Sequence, residues 1–146
     1  MSTDLIVRIL KKIPFFEGLD ARTLEFFARC ATLIKVKKGE MIFREGQTSD
    51  KMYIIVQGKV EISRTGKDGQ VRILAQLEHP DMLGEMTLLD GKPRSATAIA
   101  GEDSILFSLS RQDFQIFLKS NFPVALKIIE TLSLRLRTAD EQLGQS

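Results

Sequence analysis

One cysteine and one histidine are all that the 146 residues offer of the two most versatile ligating side chains. The lone Cys30 excludes an intrachain disulfide, and the lone His79 leaves no material for a histidine-cluster metal centre or a Ser-His-Asp hydrolase. Neither sign of charge is in excess: 21 Lys and Arg against 19 Asp and Glu give a net +2, too balanced to point to nucleic acid by charge alone. Long apolar runs are missing as well. Asp4 and Arg8 interrupt the apolar start, so no stretch of signal-peptide length exists there, and nothing approaches the roughly 20 apolar residues of a membrane span. Internal repeats, low-complexity tracts and linkers are also lacking. These absences predict a cytoplasmic protein with no membrane partner. Within it Cys30, inside the run FFARCATL, reads as a small buried hydrophobe, not a reactive thiol.

What is present suits a folded chain. A hydrophobic share of 43% beside 27% charged residues supplies a real core, and the length fits one domain over residues 1–146. Leu5, Ile6, Ile9, Leu10 and Ile13 recur at helical spacing before Pro14, and Leu24, Phe27 and Ala28 do so after the turn residues Gly18, Leu19 and Asp20, giving a helical entry over 1–30. From Ala31 the period changes. Short runs rich in Val, Ile, Phe and Thr (TLIKV, EMIF, KMYIIVQ, KVEIS, VRILAQL, SATAIA, SILFSLS) are broken by Gly39, Gly46, Gly58, the turn GKDG, Gly91 and Gly101, which predicts strands closing into an antiparallel roll over 31–110. Helical spacing returns at Arg111 with Phe114, Phe117 and Leu118. Asn121 and Pro123 then open a longer helix carrying Leu126, Ile129, Leu132, Leu136 and Leu143. The terminal Gly144, Gln145 and Ser146 read as a frayed end. The expected class is α+β: a jelly-roll-like β-roll flanked by N-terminal helices and, over 111–146, C-terminal helices ending in a lid.

Residues 82–100, MLGEMTLLDGKPRSATAIA, break the strand pattern. Gly84 and Glu85 precede a single apolar turn that Gly91 can end in a left-handed conformation. The first turn of such a helix leaves backbone N–H groups unpaired and favours an anion. Arg94, stiffened by Pro93, would add a guanidinium fork for two phosphate oxygens, with Ser95 and Ala96 at close approach. Glu85 beside a phosphate is repulsive unless something there needs an acceptor, such as a ribose hydroxyl. The plainer alternative is that Glu85 and Arg94 pair with each other across a surface turn.

The run GEMTLLDGKPRSATA closely resembles the phosphate-binding cassette of cyclic-nucleotide-binding domains. These are regulatory modules of catabolite-activator-type transcription factors, cyclic-nucleotide-dependent kinases and ligand-gated channels. Upstream, IPFFEGLDARTLEFFARC is similar to the family's entry helices and KKGEMIFREGQTSDKMYIIVQGKVEIS to its first strands. The resemblance implies that Glu85 accepts from the ribose 2′-hydroxyl and that Arg94 partners the exocyclic oxygens of the cyclic phosphate. Gly84, Ser95 and Ala96 would complete the cradle, and Ile62 and Leu74 would form the apolar wall beside ribose and base. Leu83 and Met86 are expected at the edges of the site, and Arg135 is expected to reach Glu85 or the ligand from the last helix.

The implied ligand is cyclic AMP, with cyclic GMP as the alternative. Ser95 occurs with either base in the family, and Asp140 on the lid helix could accept from guanine but reads better as part of an exposed face with Glu141 and Gln142. Leu136 and Ala139 would give the base apolar cover. No cofactor is expected; a haem ligand role for His79 is the weaker reading of a loop histidine. The cassette lacks metal ligands or an activated nucleophile, so an enzyme is not expected. No helices follow the lid to form a helix-turn-helix, so this chain is not expected to bind nucleic acid itself. The output would be a rearrangement of the C-terminal helix, read by an unidentified downstream protein or by a second copy in a homodimer. The alternative is the sensory half of a transcription factor or channel.

Overall fold

The helices and strands follow the sequence periods closely. The computed structural model describes residues 3–13 and 16–144; Pro14, read as the stop of the first helix, and Gln145 and Ser146, read as part of a frayed end, lie outside them, while Gly144 of that expected end is the last residue of the final helix. Two helices open the chain, α1 (Thr3–Lys11) and α2 (Ala21–Cys30). In α2 the Asp20 carboxylate accepts from the Thr23 amide at 2.8 Å, a cap that starts the helix, and Leu24, Phe27 and Ala28 line its buried face. Strands β1 (Thr32–Val36), β2 (Met41–Phe43), β3 (Lys51–Gln57), β4 (Lys59–Thr65), β5 (Val71–Glu78) and β6 (Met82–Leu83) lead to the short helix α3 (Glu85–Asp90). They are followed by β7 (Thr97–Ala100), β8 (Ser104–Ser110), α4 (Arg111–Ser120) and α5 (Phe122–Gly144).

Among the described residues the strands form two antiparallel four-stranded sheets, β1-β8-β3-β6 and β2-β7-β4-β5. The fold is the expected α+β roll with N-terminal helices and a C-terminal helix. Strand β3 is buried on both faces, which explains its unbroken apolar run. Tyr53 and Ile55 face the opposing sheet with Phe43, Val60, Leu83, Ala98 and Leu106, while Met52 and Ile54 face the helices. On that helical side Phe16, Phe27, Phe107 and Phe117 meet ring to ring at centroid distances of 4.8–6.4 Å. Such packing fixes α2 and α4 against the first sheet.

Strand β6 and the full length of α3 lie inside the segment read from sequence as an interruption of the roll. The bounds of α3 are set by two glycines in the left-handed region, Gly84 (φ +81°) and Gly91 (φ +70°). The Gly91 amide donates to the Thr87 carbonyl at 3.0 Å, closing the C-terminus as expected. Strand β5 departs from the expectation. Ile62 pairs with Ala75 and Ser63 with Ile73, so Leu74 is an extra residue in a bulge.

Candidate functional site

A cavity of about 380 Å³ lies between α3, the β2-β7-β4-β5 sheet and α5. Its apolar wall includes Phe43, Ile62, Ala75, Leu77 and Leu83, and three charged residues, Glu85, Arg94 and Arg135, share the lining. Glu85 is 2% exposed and Arg94 is 3% exposed, burial that an acid and a base reach only with specific partners. A neighbouring cleft of about 370 Å³, lined by Glu17, Asp81, Lys127 and Glu130 among others, shares Met82 and Arg135 with it. That cleft contains neither Glu85 nor Arg94.

Arg94 is fixed from its backbone outward. Its amide donates to the Gln47 carbonyl and its own carbonyl accepts from the Gly46 amide, both at 2.8 Å. Its Nη1 donates to the Gly84 carbonyl at 2.9 Å and its Nη2 to the Lys51 carbonyl. The guanidinium carbon sits 4.3 Å above the Phe43 ring. Arg94 Nε is buried without a hydrogen-bond partner. Burial draws the guanidinium down from its ordinary value, opposed by Tyr53, Glu85 and Asp50. A buried arginine whose side-chain hydrogen bonds go only to carbonyls has N–H donors and charge to spare for an anion.

Glu85 at the start of α3 is held differently. Arg135 of α5 donates to it from Nη1 and to the Met82 carbonyl from Nη2 at 3.3 Å. Glu85 and Arg94 therefore do not pair with each other, and the plain surface-turn alternative does not apply. Gly84 separates the two charges. A Cβ at this position would collide with Nη1 of Arg94, so the residue both adopts a positive φ and lets the guanidinium approach.

Gly84, Glu85, Met86, Arg94, Ser95, Ala96, Ile62, Leu83 and Arg135 of the expected set all line this one cavity. Leu74 is a correction: it is 57% exposed and lies outside the lining, where Ala75 and Leu77 stand instead. The bulge and the two-residue alternation put Ala75 and Leu77 on the inner face and leave Leu74 outside. Leu136, expected as cover for the base, lies outside the lining as well. It is 65% exposed, because one residue along a helix turns about 100° away from Arg135. Ala139 and Asp140 are exposed too.

Sequence reasoning passed over Phe43, Ala75, Leu77, Met82 and Thr87, which also line the cavity. For Phe43, Ala75, Leu77 and Met82 the only signal is their place in strands, and for Thr87 its place in the short helix α3. His79 lies outside the lining; its Nδ1 is 3.1 Å from the Ile55 carbonyl oxygen. Among the described residues no group of three or more His, Cys, Asp or Glu could hold a metal ion, and no helix is long and apolar enough to cross a membrane.

Residues 33–121 match the family model of the cyclic nucleotide-binding domain. The chain is 35% identical over 134 residues to the cyclic AMP receptor protein of Thermus thermophilus, covering 92% of this chain and 62% of that protein. It is 32% identical over 124 residues to a cyclic nucleotide-gated potassium channel of Rhizobium etli, covering 85% of this chain and 33% of the channel. The crystal structure of the Thermus thermophilus catabolite activator protein superposes with a TM-score of 0.81 at 35% identity, over 89% of this chain and 61% of that one. The chain thus spans about three fifths of the regulator and a third of the channel.

Proposed function

Because the chain belongs to the cyclic nucleotide-binding domain family, we propose that it is a non-catalytic, cytoplasmic sensor module that takes one cyclic nucleotide per chain and prefers cyclic AMP to cyclic GMP. The observation that carries this reading is the pair of buried, separately held charges, Glu85 and Arg94, in the lining of one apolar cavity. Arg94 receives the exocyclic phosphate oxygens and Glu85 accepts from the ribose 2′-hydroxyl. Gly84, Ser95 and Ala96 bring backbone close to the phosphate. Ile62, Leu83 and Met86, with Ala75 and Leu77, enclose ribose and base. Arg135 joins the lid helix to the cassette through Glu85, so a ligand on Glu85 changes what α5 is tied to. Such a ligand shifts the position of α5 only by as much as it prefers one position over the other.

A longer transcription factor or channel of which this is the sensory part is the second reading, favoured by the fraction of those relatives that the chain spans. In the first reading the output passes to a second copy of the chain in a homodimer or to another protein; in the second it passes to the rest of the same protein. Native mass spectrometry of protein purified from cells tests the ligand: a retained mass of one cyclic AMP per chain is expected, and retained cyclic GMP would reverse the base preference. Glu85→Ala tests the ribose assignment. Affinity for cyclic AMP should fall by about 10-fold or more, as for a hydrogen bond to a charged group. Affinity for the 2′-deoxy analogue should hardly change, and equal losses for both would reject the assignment.

A further inference from the structure

We propose that Phe43 is a positioning residue for the anion-binding arm: its ring face holds the Arg94 guanidinium in the orientation set by the Gly84 and Lys51 carbonyls. This inference rests on the reading of Arg94 as the phosphate partner. Among the described residues no carboxylate forms an ion pair with Arg94; Glu85, the acid lining the cavity beside it, is taken by Arg135. Two carbonyls satisfy one N–H on each terminal nitrogen, but carbonyl dipoles compensate a buried cation only in part. The Phe43 ring, 4.3 Å below the guanidinium carbon, adds the negative face of an aromatic quadrupole on the remaining side.

The ring is itself held. Phe43 is buried and stacks on Tyr53 with centroids 6.2 Å apart and planes at 26°, so the platform extends back to the central strand β3. A flexible guanidinium would have to be ordered at the moment of binding, and that ordering weakens affinity. A guanidinium held over a fixed ring meets the anion already ordered. An aliphatic side chain at position 43 would fill the same core space between the sheets without this effect, which separates positioning from packing.

The experiment compares wild type, Phe43→Leu and Phe43→Tyr, each shown to be folded by a cooperative thermal transition. Cyclic AMP affinity is measured by calorimetry, and the Arg94 Nε–Hε resonance is followed by NMR in the protein without nucleotide. Phe43→Leu should weaken cyclic AMP binding by about 3- to 30-fold, the range of a partly desolvated cation–π contact, and Phe43→Tyr should restore it. The Arg94 resonance should carry a ring-current shift in wild type and Phe43→Tyr that Phe43→Leu abolishes. Unchanged affinity in Phe43→Leu, or Phe43→Tyr binding as poorly as Phe43→Leu, would overturn the proposal. Should wild type bind no cyclic AMP, the ligand reading falls. The resonance alone then judges the platform, and an Arg94 signal indifferent to Phe43→Leu would refute it.

Discussion

Arg94 concentrates the chemistry of the molecule in one side chain. A buried guanidinium whose backbone is pinned by Gly46 and Gln47 and whose fork is held by Gly84 and Lys51 has almost no freedom left to lose on meeting an anion. Arg94→Leu should therefore lower cyclic AMP affinity on the order of a hundredfold or more, since at least two charge-assisted hydrogen bonds disappear. Calorimetry checks this, and a variant that bound normally would exclude Arg94 from the site. Cys30 makes the opposite prediction. Burial raises its thiol above the ordinary value, and Asp113 adds to the shift, so less thiolate is present at neutral pH. Cys30 is half-buried against the core and not inside it as its apolar run suggests; its reaction with a disulfide reagent should be slow in the folded protein and speed up on unfolding, and a folded rate matching the unfolded one would contradict its reading as an unreactive thiol. Glu85 and Arg94 were legible in the sequence because glycine, proline and small residues around them announced a turn with no strand period. Leu74 was not, because a single bulged residue in β5 inverts which side chains face inward. Phe43 was legible only as a strand residue, since nothing in EMIF tells that its ring lies under a guanidinium.

At the scale of elements, the proposed function assigns to α3 and α5 the connection of ligand to output. Helix α3 is placed by Gly84, where a side chain would strain the positive φ and push against Arg94. Gly84→Ala should reduce nucleotide affinity more than it reduces the melting temperature, and the reverse order would show that the position matters for folding alone. The N-cap of α4 gives a prediction about stability alone. The Ser110 hydroxyl accepts from the Asp113 amide at 3.2 Å, and Ser110→Ala should cost about 1 kcal/mol of stability in a denaturant titration. For α5 the proposed lid role predicts added hydrogen-exchange protection on cyclic AMP binding in residues 124–143 and in the cassette. Unchanged exchange in α5 at saturating ligand would make the helix a static strut. The helices and most strands could be drawn from periodicity and capping residues. The two-residue β6 could not, because its order comes from pairing with Tyr53 and Ile54 across the sheet.

The whole molecule is a roll with two apolar layers, one between the sheets and one between a sheet and the helices, and a last helix that neither layer fully covers. Phe122, Leu126, Ile129, Leu134, Leu136 and Leu143 of α5 are exposed. Five of them, all but Leu134, follow one another at steps of four, three, seven and seven residues, compatible with a heptad seam. The proposed homodimer would bury this stripe. Light scattering should give twice the chain mass, and Leu136→Glu should halve it; a monomer in wild type would leave the stripe to another partner. The central claim, that buried Glu85 and Arg94 form a cyclic-nucleotide pocket, is tested most directly by titration calorimetry of the wild-type chain with cyclic AMP, cyclic GMP and 5′-AMP. The account predicts one cyclic AMP per chain, weaker cyclic GMP, and still weaker 5′-AMP, whose additional oxygen and charge do not suit a cradle made for a cyclic monoanion. No binding of either cyclic nucleotide, or 5′-AMP binding as tightly as cyclic AMP, would contradict it.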